Sequence, residues 1–468
     1  MNRSNTIHIM KKQLLFIGAL LCIVTLNSYA QQAVPPNKQG NNFTLADCIN
    51  YAYQHQDSVL NAGLDIKSAE YKIKETIGQG LPQVSGSVSF QDFLQPPATV
   101  GPNLTSVFTG GPLDLNAPLV KFPFGAVQYN NTYAVSASQL LFSGTFLVGL
   151  QAVKTFKELS QRSLVRTKIQ TNVNVTKAYY QVLVSDEQLK LLDANINELK
   201  QQLDQTIQQN KQGFVEKIDV DRLTVQYENL VTNRENVGRS LILNYEMLKF
   251  QMGMPIQQEI TLTDKLENIN LEQQVMLNNG DTSFYHNRIE YNLLETNIML
   301  NQLDVKSKKA AYLPSASFNA SYGDVFQENH FRYLYDHAYP DSYVGLSINV
   351  PIFNGNQRTN QLRESEINVK KAQNDLDNVK NAINLEARAA NITFYNSLQS
   401  LNTQRKSRDL AQEVLNVSKI KYQQGVGSSI EVTQAETDLE NTNNQYIQAL
   451  YNALISKVDQ DKAYGRIK

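Results

Sequence analysis

Four short stretches of the chain alternate apolar and small polar residues. Val84, Gly86, Val88 and Phe90 interleave with Ser85, Ser87 and Ser89. Tyr133, Val135 and Ala137 interleave with Ala134, Ser136 and Ser138, ahead of the run Leu140-Leu141-Phe142. Ala316, Phe318, Ala320 and Tyr322 alternate with Ser317, Asn319 and Ser321, and Val344, Leu346, Ile348 and Val350 with Gly345, Ser347 and Asn349. Successive side chains of a strand point to opposite faces, so each stretch predicts a strand with one greasy and one small, hydroxyl-rich face. A membrane barrel with lipid outside and water inside reads this way. Four strands cannot close such a barrel, and an open sheet edge does not persist in lipid. Either the strands are soluble, or several copies of the chain build one barrel.

Each strand adjoins a run of helical periodicity. No proline occurs from Gly144 to Gln212 or from Asn356 to Gln424, 69 residues in each case. As continuous helix, each spans on the order of 100 Å at about 1.5 Å per residue. Leu189, Leu192, Ile196, Leu199 and Leu203 step by three and four, a heptad seam. The pattern resumes after Gly213 through Leu223, Leu230, Val237 and Leu241, and after Gly427 through Leu439 and Leu450. The glycine-bearing tips therefore predict two antiparallel helical pairs.

The layout helix, strand, loop, strand, long helix, turn, helix occurs twice. Leu81-Pro82 and Leu313-Pro314 mark a helix-to-strand switch in each copy, because proline drives the preceding residue out of helical geometry. Phe142-Ser143-Gly144 and Phe353-Asn354-Gly355 end the second strands. Phe142 to Phe353 is 211 positions, and Gly213 to Gly425 is 212. The copies differ at the first loop, where 21 extra residues fall in the Pro/Gly-rich segment Gln95 to Gly125. The second loop, Asp324 to Asp341, holds Phe326, Phe331, Tyr333, Tyr335 and Tyr339, which suit packing a barrel mouth as well as binding.

These signals divide the chain into residues 1–30, a signal peptide; 31–254, a first repeat with strands at 83–91 and 132–142 and a tip near 213; 255–283, a linker girdling the helices; and 284–468, a second repeat with strands at 315–323 and 343–353 and a tip near 425. The signal peptide rests on Lys11 and Lys12, the apolar run Leu14 to Leu26 and the small-residue site Ser28-Tyr29-Ala30; Met10 offers an alternative start. Cys22 invites lipidation, but Leu21 before it is too large for the usual lipobox. Residues 31–42 form a polar arm, after which Thr44 and Asp47 make a capping start.

Composition narrows the function. No later stretch approaches the roughly 20 consecutive apolar residues of a spanning helix. Cys48 is the single cysteine left after processing, so no intramolecular disulfide forms. A net charge of −1 offers no basic excess for nucleic acid. His55, His286, His330 and His337 form no zinc pattern. Gly425-Val426-Gly427 lacks the third glycine and the preceding strand of a dinucleotide fingerprint. The sequence thus predicts neither an enzyme nor a cofactor or metal site.

Taken in order, the duplicated layout, the Leu-Pro switches, the Phe-Ser-Gly and Phe-Asn-Gly strand ends, the glycine tips and the closing Ala449 to Gly465 helix resemble the TolC-like outer-membrane efflux family. The resemblance covers nearly the whole mature chain. It implies a mixed α and β membrane protein: a homotrimer whose four strands per chain close one 12-stranded barrel in outer-membrane lipid, continued by an α-helical barrel in the periplasm. It implies a passive exit duct for efflux or type I secretion, coupled to a periplasmic adaptor and an inner-membrane transporter. It points to Gly213, Phe214, Val215, Gly425, Val426 and Gly427 as adaptor-contact tips. It also points to Asp219 and Glu431, six residues beyond each tip glycine, as the acids of a periplasmic entrance constriction. Gln434 stands where the best-known members carry a further acid, so the acidic ring is halved. As residues alone, Asp219 and Glu431 also suit first-turn positions facing a helix N-terminus. A coiled-coil adhesin or stalk would explain the helices but not the strand pairs. A diffusion porin would explain the strands but not the helices.

Overall fold

The computed structural model describes residues 42–96, 99–102, 110–112, 118–122, 127–266 and 283–467. The signal peptide, Cys22, nearly all of the polar arm, most of the long first loop and the acidic part of the linker lie outside the described residues. Two units divide the chain: Met1–Asn42, of which only Asn42 is described, and Phe43–Lys468.

In the second unit, helices α1 (Leu45–His55) and α2 (Asp57–Gln79) lead to strand β1 (Gln83–Asp92), and strand β2 (Tyr129–Phe142) leads to α3 (Gly144–Lys211) and α4 (Lys217–Met252). The order repeats as α5 (Ile289–Ala310), β3 (Ser315–Glu328), β4 (Tyr339–Asn349), α6 (Gln357–Gln423) and α7 (Ser429–Ala463). Both first strands begin at the residue after a Leu-Pro pair. The sequence predicts one unbroken opening helix; the structure breaks it at Gln56. Its extended backbone ends α1, and its side chain accepts from the backbone N–H groups of Ser58 and Val59 to start α2. A distant segment packs against this break. Gly253, in the left-handed region at φ +71°, sits so close that a Cβ there would lie 2.6 Å from the His55 carbonyl oxygen.

The four strands form one antiparallel sheet in the order β1-β2-β3-β4. Register puts Val84 opposite Ala137, Val88 opposite Tyr133, Val135 opposite Tyr322, Ala320 opposite Val344, and Phe318 opposite Leu346. Directly opposed residues share a face, so the apolar positions of all four strands gather on one side. The other side carries the hydroxyl and amide residues: Ser136 meets Ser321 at 3.3 Å, and Asn319 donates to Ser347 at 3.2 Å. β4 runs over 339–349 rather than the 343–353 expected. Pro351 lacks the N–H that would continue the ladder. β3 extends to Glu328, so Phe326 belongs to a strand. The second loop's aromatics pack on each other: Phe326 lies 5.4 Å from Tyr335 and 5.8 Å from Tyr133, ring to ring.

The helical pairs bury the heptad stripes. Leu192, Leu199 and Leu203 of α3 pack with Leu223, Leu230 and Val237 of α4. In the second pair, Leu415 of α6 packs with Val432, Ala435 and Leu439 of α7. The described part of the linker also joins a core. Ile260 packs with Cys48, Val175, Tyr179 and Leu248, and the Asp264 carboxylate accepts from the Leu45 backbone N–H at 3.0 Å and the Tyr179 hydroxyl at 2.8 Å. Burial pushes the Cys48 thiol up to about 12, so it stays protonated and unreactive at neutral pH.

A buried cation ties the second repeat together. Arg288 is 4% exposed; it pairs with Glu290 and Glu386 at 2.9 Å each and donates to the Ala463 carbonyl at 2.9 Å. It thereby fastens the start of α5 to α6 and to the end of α7. Breaking a buried pair by removing one partner is far costlier than its net contribution suggests. Arg288→Met leaves the buried Ala463 carbonyl without its donor while Glu290 and Glu386 keep access to water, so it is expected to cost about 1–3 kcal/mol, seen as a lowered thermal midpoint in detergent.

Candidate functional site: the hairpin tips

Each long helical pair turns on a short glycine-bearing loop. Gly213 adopts φ +80° and Gly425 φ +72°, the left-handed region where a Cβ is penalised. The turns satisfy the carbonyls left over at the helix ends: Phe214 N–H donates to Gln209 at 2.9 Å, and Val426 N–H to Lys421 at 3.0 Å. The Asn210 side chain braces the first turn by donating to the Val215 carbonyl at 2.8 Å. With the backbone so fixed, the side chains at the turn apex have no core to enter. Phe214 is 77% exposed and Val426 76%. Both turns border one cavity of about 570 Å³, with Phe214, Val215, Gly425 and Gly427 in its wall and the amides of Gln202 and Gln209 beside them.

Asp219 is the third residue of α4 and Glu431 the third of α7. The structure gives them different surroundings. The Asp219 side chain is largely covered, accepts a hydrogen bond from the Ser429 hydroxyl and lies 3.6 Å from Arg222. It is therefore engaged with the first turn of the other hairpin's return helix. Glu431 is exposed, and the Ser428 hydroxyl accepts from its backbone N–H at 3.2 Å, which caps α7.

Further polar links join the two hairpins above the tips. Gln226 of α4 donates to the Thr433 carbonyl at 3.2 Å, and Asn233 to Glu440 at 3.4 Å. Lys419 of α6 pairs with Glu198 of α3 at 2.8 Å and with Glu436 of α7 at 3.5 Å. Burial raises the Glu436 carboxyl above the usual carboxylate range, against the pull of Lys419. Sequence reasoning missed this triad. A signal existed: Glu436 shares the stripe of Val432, Ala435 and Leu439, a charge on an apolar seam. Among the described residues, no group of three or more His, Cys, Asp or Glu is arranged to hold a metal ion, and no helix is long and apolar enough to cross a membrane.

This arrangement has known counterparts. The family described as Outer membrane efflux protein matches residues 294–466, which lie in the second copy of the pattern. Outer membrane protein TolC of Escherichia coli (strain K12) is 25% identical over 357 residues, covering 72% of this chain and 70% of TolC. The chain is similar to the TolC-like outer-membrane efflux proteins. The family match and the TolC likeness together span both copies of the layout. The proteases secretion protein PrtF of Dickeya chrysanthemi is 23% identical over 315 residues, 65% of this chain and 64% of that protein. In fold, the chain is similar to the open state of the MtrE outer membrane channel of Neisseria gonorrhoeae, with a TM-score of 0.70, 15% identity, and coverage of 90% of this chain and 88% of that one. The TolC-like family consists of transport channels and not of enzymes. TolC and its homologues are outer-membrane proteins with a helical part in the periplasm.

Proposed function

We propose that three copies of this TolC-like chain close one 12-stranded barrel and continue it as a helical tunnel, forming the exit duct of a tripartite efflux or type I secretion system. One observation supports this above the rest. The sheet ends in two edge strands, β1 and β4, exposed along nearly their whole length, and its apolar face is open. Such a sheet suits lipid only when other strands pair with both edges. Copies of the same chain supply them at no cost in new sequence, and cyclic symmetry closes the ring. The duct is passive; an inner-membrane transporter drives export, and a periplasmic adaptor joins the two at the tips. Chemical cross-linking should give a trimer, and unheated gel samples should migrate as a compact, heat-modifiable species. A monomer without heat-modifiable mobility would refute the barrel.

At the entrance, Asp219 and Glu431 of three chains would place six carboxylates around one narrow opening and make the closed duct weakly cation-selective. Their unequal surroundings set the order of effects. Asp219 is held by Ser429 and Arg222, whereas Glu431 faces solvent. Glu431→Gln is therefore expected to remove most of the selectivity and of the block by trivalent cations, and Asp219→Asn to add little. Single-channel recordings in a planar bilayer measure both. Unchanged selectivity in the double variant would leave the acids as helix-end residues only.

A further inference from the structure

Above the tips, α3, α4, α6 and α7 enclose a cavity of about 200 Å³ whose wall includes Glu198, Leu199, Gln226, Leu230, Lys419 and Glu436. Both carboxylate oxygens of Glu436 are buried, and neither accepts a hydrogen bond. The Gln226 amide oxygen is also buried there without a donor. The charged groups facing Glu436 are Glu198 from α3, Lys419 from α6 and Glu440 from α7, while α4 presents the neutral amides Gln226 and Asn229. Lys419 lies closer to Glu198, at 2.8 Å, than to Glu436, at 3.5 Å, so Glu436 holds the lesser share of the one cation. A charge in this position is poorly compensated, and water reaching it would lower its free energy.

We propose that Glu436 is a proton-operated latch between the two helical hairpins of each chain. Protonated, it lets α3–α4 and α6–α7 remain packed around the cavity; ionised, it draws water in and loosens them. Burial raises the Glu436 carboxyl, with Lys419 opposing and Glu198 adding to the rise. A group whose folded value is raised stabilises the packed form fully below its unfolded value and loses that contribution as pH climbs through the folded one. Lower pH therefore tightens the hairpin seam, and rising pH relaxes it. The consequence for conduction rests on the duct reading above, since the seam lies just beyond the entrance.

The test uses the full-length protein in detergent. Infrared difference spectra should show a protonated buried carboxyl titrating above an exposed glutamate, and Glu436→Gln should abolish the band. Lys419→Gln removes the cation that favours the ionised form, so it should shift the midpoint further up. Hydrogen exchange across residues 192–203 and 432–440, corrected for intrinsic rates, should be slower below the midpoint than above it, and Glu436→Gln should abolish that step. In planar bilayers, acidification should reduce the open fraction, and Glu436→Gln should remove that component of the response. A protein that forms no channels refutes the duct reading while leaving the spectral and exchange results decisive. A carboxyl band that survives Glu436→Gln, or an exchange step that persists in it, overturns the latch.

Discussion

Leu346→Arg is expected to prevent assembly of the protein in the outer membrane. Leu346 is 61% exposed in β4, stands opposite Phe318, and shares its face with Val88, Tyr322 and Val344. Near the midplane, an arginine on the lipid face of a barrel strand costs roughly 2–4 kcal/mol. In a trimer each substitution is present three times, so the summed penalty is comparable with the whole stability of a typical fold, about 5–15 kcal/mol. Val88→Arg, 68% exposed in β1, should behave in the same way. Ser87→Arg is the control. Its position is the next along β1 and therefore faces the hydroxyl-lined side, where a charge meets water. Membrane fractionation and heat-modifiable mobility should show loss of trimer for the first two variants and normal trimer for the third. Equal tolerance of all three would mean that the apolar face does not meet lipid.

Phe214→Asp combined with Val426→Asp is expected to abolish export while leaving trimer level and membrane location unchanged. Both side chains stand at the apex of a turn, largely in solvent, and neither contributes to a packed cluster of the chain. The fold therefore loses little by the change. A partner that seals against the tips loses buried apolar surface at six positions of a trimer, and each 1.4 kcal/mol lost weakens binding about tenfold. Neither position has positive φ, so the variants introduce no backbone strain, whereas Gly425→Asp at φ +72° would. Export assays and adaptor cross-linking check the outcome. Normal export by the double variant would leave the tips as turns and nothing more.

Much of this architecture is written in neighbouring residues. Strand character at Val84 to Phe90 and at Val344 to Ile348 follows from period-two alternation, and it needs no knowledge of what lies across the sheet. Pro82 and Pro314 stop helices by local sterics, so Gln83 and Ser315 open strands. The stripe from Leu192 to Leu203 names its own buried face because helical geometry repeats every 3.6 residues. Gly213 and Gly425 mark turns because the backbone there has to enter a region that side chains avoid.

Other features depend on how distant segments rotate and slide against one another, which no local pattern records. Gln56 is packed by Gly253, nearly two hundred positions away, and the second copy repeats the feature at Arg288, an extended residue before α5, where a Cβ on Gly465 would lie 2.9 Å from the Asn287 carbonyl oxygen. Asp219 and Glu431 occupy equivalent places in the repeat, yet only Asp219 is engaged by Ser429, 210 positions along the chain. The triad of Glu198, Lys419 and Glu436 forms because three helices of three different origins meet at one height. A shift of one residue along any of them would carry the side chain about 100° around its helix and out of reach. Sequence periodicity determined which faces must be buried. The tertiary structure alone decided which polar groups are shut in with them, because that choice depends on axial register and rotation between helices roughly 100 Å long.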